Sequence, residues 1–135
     1  MAAVPEAGAE KPFVIGVGRD FYEGPDSRTY LHGSTNTWEA LTYLDGRMNA
    51  VPWLAESWDA DPDGRIWTFV LRPGIRFHDG SPLTAREAAA SIDRIRAHPQ
   101  YDPTGNYREV DTVSAEGDRR VVFRLHAPVP DFAKR

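Results

Sequence analysis

The side chains best suited to chemistry in this chain gather between Arg19 and Thr35. That segment holds Arg19, Asp20, Tyr22, Glu23, Asp26, Arg28, Tyr30 and His32 among Gly24, Pro25 and Gly33. Guanidinium, carboxylate, phenol and imidazole groups in an aperiodic loop suit the capture of a polar solute by hydrogen bonds, charge and ring contact, and loops carry function more often than cores do. The competing reading is an ordinary surface loop whose tyrosines half-bury against the domain. His78, His98 and His126 sit in a turn or beside prolines at element ends. No two histidines have the i, i+4 spacing of a helical metal site and cysteine is absent, so no directly bound metal is expected. Ser34, Ser57, Ser81, Ser91 and Ser114 include no Gly-x-Ser-x-Gly elbow. Glu56, Asp61, Asp63, Asp79 and Glu87 lie among turn and cap residues, where hydrogen bonding to the backbone accounts for them. Gly16-Val17-Gly18 lacks the third glycine of a dinucleotide fingerprint, because Phe occupies position 21. The expectation is a binding protein with no cofactor, not an enzyme.

The elements that would position such a loop are clearest from Val51 to Ile95. Asp61-Pro62-Asp63-Gly64 has tight-turn composition, with proline presetting φ and glycine supplying positive φ. Ile66, Thr68 and Val70 then alternate with Trp67, Phe69 and Leu71, a period of two that predicts a strand. Pro73-Gly74 closes it, and a short return strand is expected around Ile75 to Phe77, ended by Asp79-Gly80. Thr84 and Glu87 have capping-box spacing. Ala85, Ala88, Ala89, Ile92 and Ile95 give the helix that follows one apolar face. Phe13 to Val17 reads as a buried strand, and Trp38, Leu41 and Leu44 as a helix-like patch. Trp38, Trp53, Trp58 and Trp67 are expected in the core, where a buried ring contributes about 1.5–3 kcal/mol or more.

The run Pro52-Trp53-Leu54-Ala55-Glu56-Ser57-Trp58, the Asp63-Gly64 turn, Trp67-Thr68-Phe69, Leu71-Arg72, Phe77-His78-Asp79-Gly80 and Pro82-Leu83-Thr84-Ala85 resemble the signature of family 5 extracytoplasmic solute-binding proteins. Trp38-Glu39-Ala40-Leu41 upstream, and Val121 to Leu125 with Ala127-Pro128-Val129-Pro130 downstream, are similar to further elements of that family, so the likeness runs from about Pro12 to Phe132. The resemblance implies an α+β (mixed α/β) chain, part of a type II periplasmic-binding-protein fold. It divides the chain into a flexible tail at 1–11, the first strand, cleft loop and helix of lobe one at 12–45, and a small inserted subdomain at 46–135. It also implies an ABC-importer component for peptides or nickel and metallophore complexes, present as an N-terminal portion, with a membrane permease as partner. Tyr22, Arg28, Tyr30 and His32 are the implied ligand contacts, joined by Tyr107 in the Asp102 to Arg108 loop. The alternative is a cut-down interaction or regulatory module that keeps the subdomain fold without transport.

Composition agrees with a folded domain and narrows the partners. Of 135 residues, 41% are hydrophobic and 27% charged, which excludes a disordered tail. Eleven prolines and eleven glycines predict short elements and frequent turns. Twenty acidic residues against sixteen basic ones leave a mildly acidic chain, and its arginines are scattered, which disfavours nucleic acid. Arg94, Arg96, Arg119 and Arg120 read as a solvated helix face and strand edge. Met1 to Lys11 lacks the basic start and apolar run of a signal peptide, while the family resemblance implies an extracytoplasmic site. Phe13 to Val17, parted from the neighbours that the family would supply, predicts a homodimer through unpaired edges or a disordered N-terminal third.

Overall fold

A computed structural model describes residues 39–98, 102 and 105–135. The expected Phe13–Val17 strand, the Arg19–Thr35 loop and Trp38 lie outside these residues. The chain enters through a two-stranded antiparallel ribbon, β1 (Thr42–Leu44) and β2 (Ala50–Pro52). Asp45 builds its turn, with the carboxylate accepting from the amides of Arg47 and Asn49 at 2.8 Å each. The patch expected to be helix-like around Leu41 and Leu44 is therefore a strand. Its hydrogen bonds are long-range, made to β2 rather than along a helix.

Four strands form the main sheet: β3 (Ala55–Ala60), β4 (Ile66–Leu71), β5 (Val110–Glu116) and β6 (Arg120–Leu125). Their spatial order is β3-β4-β6-β5, antiparallel throughout. The β3–β4 turn forms as its composition predicts. Asp61 accepts from the amides of Arg65 at 2.7 Å and Ile66 at 2.8 Å, and Gly64 adopts φ 67°. Along β4 the alternation is strict: Trp67, Phe69 and Leu71 are buried, and Ile66, Thr68 and Val70 half-buried.

Register explains why one face is the core. Trp67 lies opposite Phe123 and Phe69 opposite Val121, so the large side chains of β4 and β6 share a face with Val113 of β5. Phe69 and Phe123 meet edge-on at 5.5 Å, and Phe132, from the 3-10 turn Phe132–Lys134, packs 5.1 Å from Phe123 and 6.0 Å from Trp67. Aromatic pairs in this geometry add about 0.5–1.5 kcal/mol each beyond the area they bury. Helix α1 (Ala85–Ala97) packs on β5 and β6 through Ala85 and Ala89, whose small side chains permit close approach. Its capping box forms as expected: Thr84 accepts from the backbone of the first turn, and Glu87 accepts the Thr84 amide at 2.9 Å.

Two expectations fail for a shared reason. Ile75 to Phe77 form no return strand; only an isolated bridge links Arg76 to Pro82. Both edges of β4 are already taken, by β3 and β6, so a return strand has nothing to pair with. Trp53 is not core: it is 45% exposed and lies against Tyr43, ring centroids 5.6 Å apart. The backbone turns between β2 and β3 so that Leu54 and Ala55 go inward and Trp53 outward. Trp67 is buried and Trp58 packs against the core, as expected.

Candidate functional site

Tyr22, Arg28, Tyr30 and His32 lie outside the described residues, so among the expected contacts the structure describes Tyr107. It sits in a segment ordered by Asp102, whose carboxylate accepts from the amides of Asn106 at 2.8 Å and Tyr107 at 2.9 Å. The Asp102 carbonyl accepts from Gly105 at 3.0 Å, closing a turn in which Gly105 adopts φ 70°. Two further bonds join the segment to the sheet: the Val110 amide donates to Tyr107 O at 3.0 Å, and the His126 amide donates to Glu109 O at 2.9 Å.

Tyr107 is thus held rather than loose, which corrects its reading as an unconstrained loop aromatic. Its ring is half-buried and packs on the core. Burial, with a smaller contribution from the Asp102 charge, pushes its phenol up to about 12. The group stays protonated under all ordinary conditions. It can offer a neutral O–H donor and an aromatic edge, which suits a peptide or chelate and not proton transfer.

The remaining chemistry-bearing side chains serve the fold. Asp79 accepts from both the amide and the hydroxyl of Ser81, and these bonds lower its carboxyl below the usual range. His78 is exposed in the same turn. The described residues contain no group of three His, Cys, Asp or Glu side chains able to hold a metal. An open depression of about 290 Å³ is lined by Arg72, Pro73, Gly74, Ile75 and Arg76. Arg76 donates to Gly80 O at 2.7 Å and Arg72 lies 4.0 Å from Glu39, so both guanidiniums have protein partners.

Two arginines read from sequence as solvated do more than that. Arg119 donates through Nε to Leu71 O at 2.8 Å and pairs through Nη2 with Glu56, tying the β5–β6 turn to β3 and β4. Arg96 reaches from α1 to the backbone of β5. Neither partner is near in sequence, so only the folded chain reveals these contacts.

A twisted antiparallel sheet backed by one capped helix, with a rigidly presented aromatic and no catalytic constellation among the described residues, has the character of a binding module. Residues 49–135 match the model of the bacterial extracellular solute-binding proteins, family 5 (Middle), and the chain belongs to that family. It is 30% identical over 130 residues to the glutathione-binding protein GsiB of Pectobacterium atrosepticum, covering 92% of this chain and 25% of the relative. To the nickel-binding periplasmic protein of Escherichia coli it is 32% identical over 88 residues, covering 62% and 17%. NikZ from Campylobacter jejuni, solved in complex with Ni(L-His), superposes with a TM-score of 0.64 at 28% identity over 71% of this chain and 20% of that one. The chain spans about a quarter or less of the length of these relatives, and its fold is the corresponding part of a type II periplasmic-binding-protein fold. These relatives are named as solute-binding proteins, not enzymes. No described helix is long and apolar enough to cross a membrane.

Proposed function

We propose that this chain forms part of the solute receptor of an ABC-type importer for peptides, including glutathione-like ones, or for nickel and metallophore complexes. It would act outside the cytoplasm and hand solute to a membrane permease. The observation that carries this reading is the family match across 49–135, supported by relatives named for glutathione and nickel binding. In this reading 1–11 is a tail, 12–45 opens lobe one and 46–135 is its inserted subdomain. Tyr22, Arg28, Tyr30 and His32 contact the solute from the loop, and Tyr107 from the segment after α1. Association of two copies through Phe13 to Val17 is a further part of the proposal.

A quarter of a receptor offers only one side of a solute cleft. Halving the free energy of a micromolar complex gives a Kd of about 1 mM. Chemical-shift titration suits that range. The test titrates the folded chain with glutathione, a dipeptide and a nickel–histidine complex. Saturable shifts with at least one solute, weakened by Tyr30→Ala, His32→Ala or Tyr107→Ala, are expected. No saturable shift with any of them would contradict the reading.

A further inference from the structure

The segment that carries Tyr107 leaves α1 and rejoins the sheet at β5, and a side chain from the last turn of α1 grips its point of return. Arg96 donates through Nη2 to Val110 O at 2.8 Å and also to Asp111 O. Its Nη1 meets Asp93 Oδ1 at 2.8 Å, which fixes the guanidinium plane from the helix side. The two carbonyls lie at the register shift between Val110 and Thr112, where β5 bulges against β6. A bulge takes successive backbone groups out of their usual alternation, and a planar guanidinium can bind both carbonyls at once. Lysine, a compact charge on a flexible stem, offers no such fixed geometry.

Docking of the helix does not need this grip. Ala85 and Ala89 already bury against the sheet, and the Ala85 amide donates to Asp118 O at 2.7 Å. What depends on Arg96 is the stretch beyond the bulge. Val110, whose carbonyl Arg96 holds, donates its amide to Tyr107 O, while Asp102 holds the Tyr107 amide from the other side. Tyr107 is suspended between these two anchors.

We infer that Arg96 is a positioning residue for solute binding, its guanidinium fixing the bulge from which the Tyr107 segment is presented to a peptide or metal-chelate solute. The inference rests on the proposed role of Tyr107 in solute contact. Arg96 itself touches no solute. Asp93 serves as the steering partner of the guanidinium.

Hydrogen exchange and solute titration on the full chain separate the two claims. Arg96→Lys should speed exchange of the Asn106, Tyr107 and Val110 amides by about tenfold or more while the α1 amides keep their protection, a local pattern that a general loss of stability would not produce. Affinity for glutathione or the nickel–histidine complex, whichever the wild type binds, should fall several-fold in the same variant. Asp93→Asn, an exposed change that leaves the sheet untouched, should move both readouts the same way by less, and covers the case in which Arg96→Lys fails to fold. Wild-type exchange at those three amides in both variants, or an equal rise across α1, overturns the inference. Faster local exchange with unchanged affinity overturns the solute role of Arg96 and, with it, that of Tyr107, but leaves the family-level function standing.

Discussion

Removing Trp67 and removing Trp53 should have very different consequences, although the two residues look alike in sequence. Trp67 is 7% exposed, packs 6.0 Å from Phe132 and 6.3 Å from Phe69, and donates its indole N–H to Gly64 O at 3.3 Å. A tryptophan buries about 150–250 Å², which at about 25 cal/mol/Å² corresponds to roughly 4–6 kcal/mol as an upper bound, since unfolded chains already hide some of that surface. Trp67→Ala should therefore cost about 3–5 kcal/mol, the range of large-to-small core substitutions. Trp53 keeps nearly half its surface in solvent, and its ring neighbour Tyr43 is itself 53% exposed. Trp53→Ala should cost about 1–2 kcal/mol, from partial burial and one aromatic pair. Urea denaturation followed by far-ultraviolet circular dichroism measures both. With a slope of about 1–3 kcal/mol/M, the two midpoints should separate by roughly 1–2 M, Trp67→Ala unfolding first. Equal midpoints, or the reverse order, would refute the assignment of Trp67 to the core and Trp53 to the surface.

Three further outcomes follow from single contacts. The bonds from the Thr84 hydroxyl and amide hold the Glu87 carboxyl down to about 2, from an ordinary 4.5, so its contribution is fully present above about pH 4.5 and is lost as pH falls towards 2. Melting temperatures of wild type and Glu87→Gln should accordingly differ most near neutrality and converge below pH 2, as a pH series of thermal melts will reveal. Gly64→Ala should cost about 1–2 kcal/mol, because residue 64 needs φ 67° while the added Cβ would meet nothing nearer than Pro128 Cβ at 3.9 Å; Gly46→Ala, with open space around it, is the near-neutral control in the same urea assay. Arg119→Lys should cost about 1–2 kcal/mol by losing the bond to Leu71 O, and most of that cost should persist in about 1 M salt, which screens only the exposed pair with Glu56.

What could be read from the sequence was local. The Asp61–Gly64 turn, the alternation along β4, the Thr84–Glu87 box and the Val121–Leu125 strand each depend on residues a few positions apart, and all four formed. The Ile75–Phe77 strand was misread because periodicity does not report which strand edges are occupied; β6, some fifty residues downstream, had taken the place it needed. Trp53 was misread because hydrophobicity carries no direction: one backbone turn between Pro52 and Ala55 sends Leu54 inward and Trp53 outward. Arg96 and Arg119 looked like solvated charges because their partners are backbone carbonyls, and every residue has one. The candidate site was legible only in its residue types. Asp102 was visible as a turn residue, but its grip on the Tyr107 amide, and the core packing that holds that ring, belong to the folded chain.

The most direct test of the account is a nitrogen-15 chemical-shift titration of the folded chain with glutathione and with a nickel–histidine complex, each carried to about 10 mM to reach the weak range expected of one side of a cleft. Saturable shifts confined to the amides of residues 19–35 and 105–110 are the predicted result. A well-folded spectrum that neither solute perturbs, or shifts confined to the far face of the sheet around Thr68 and Ser114, would contradict it.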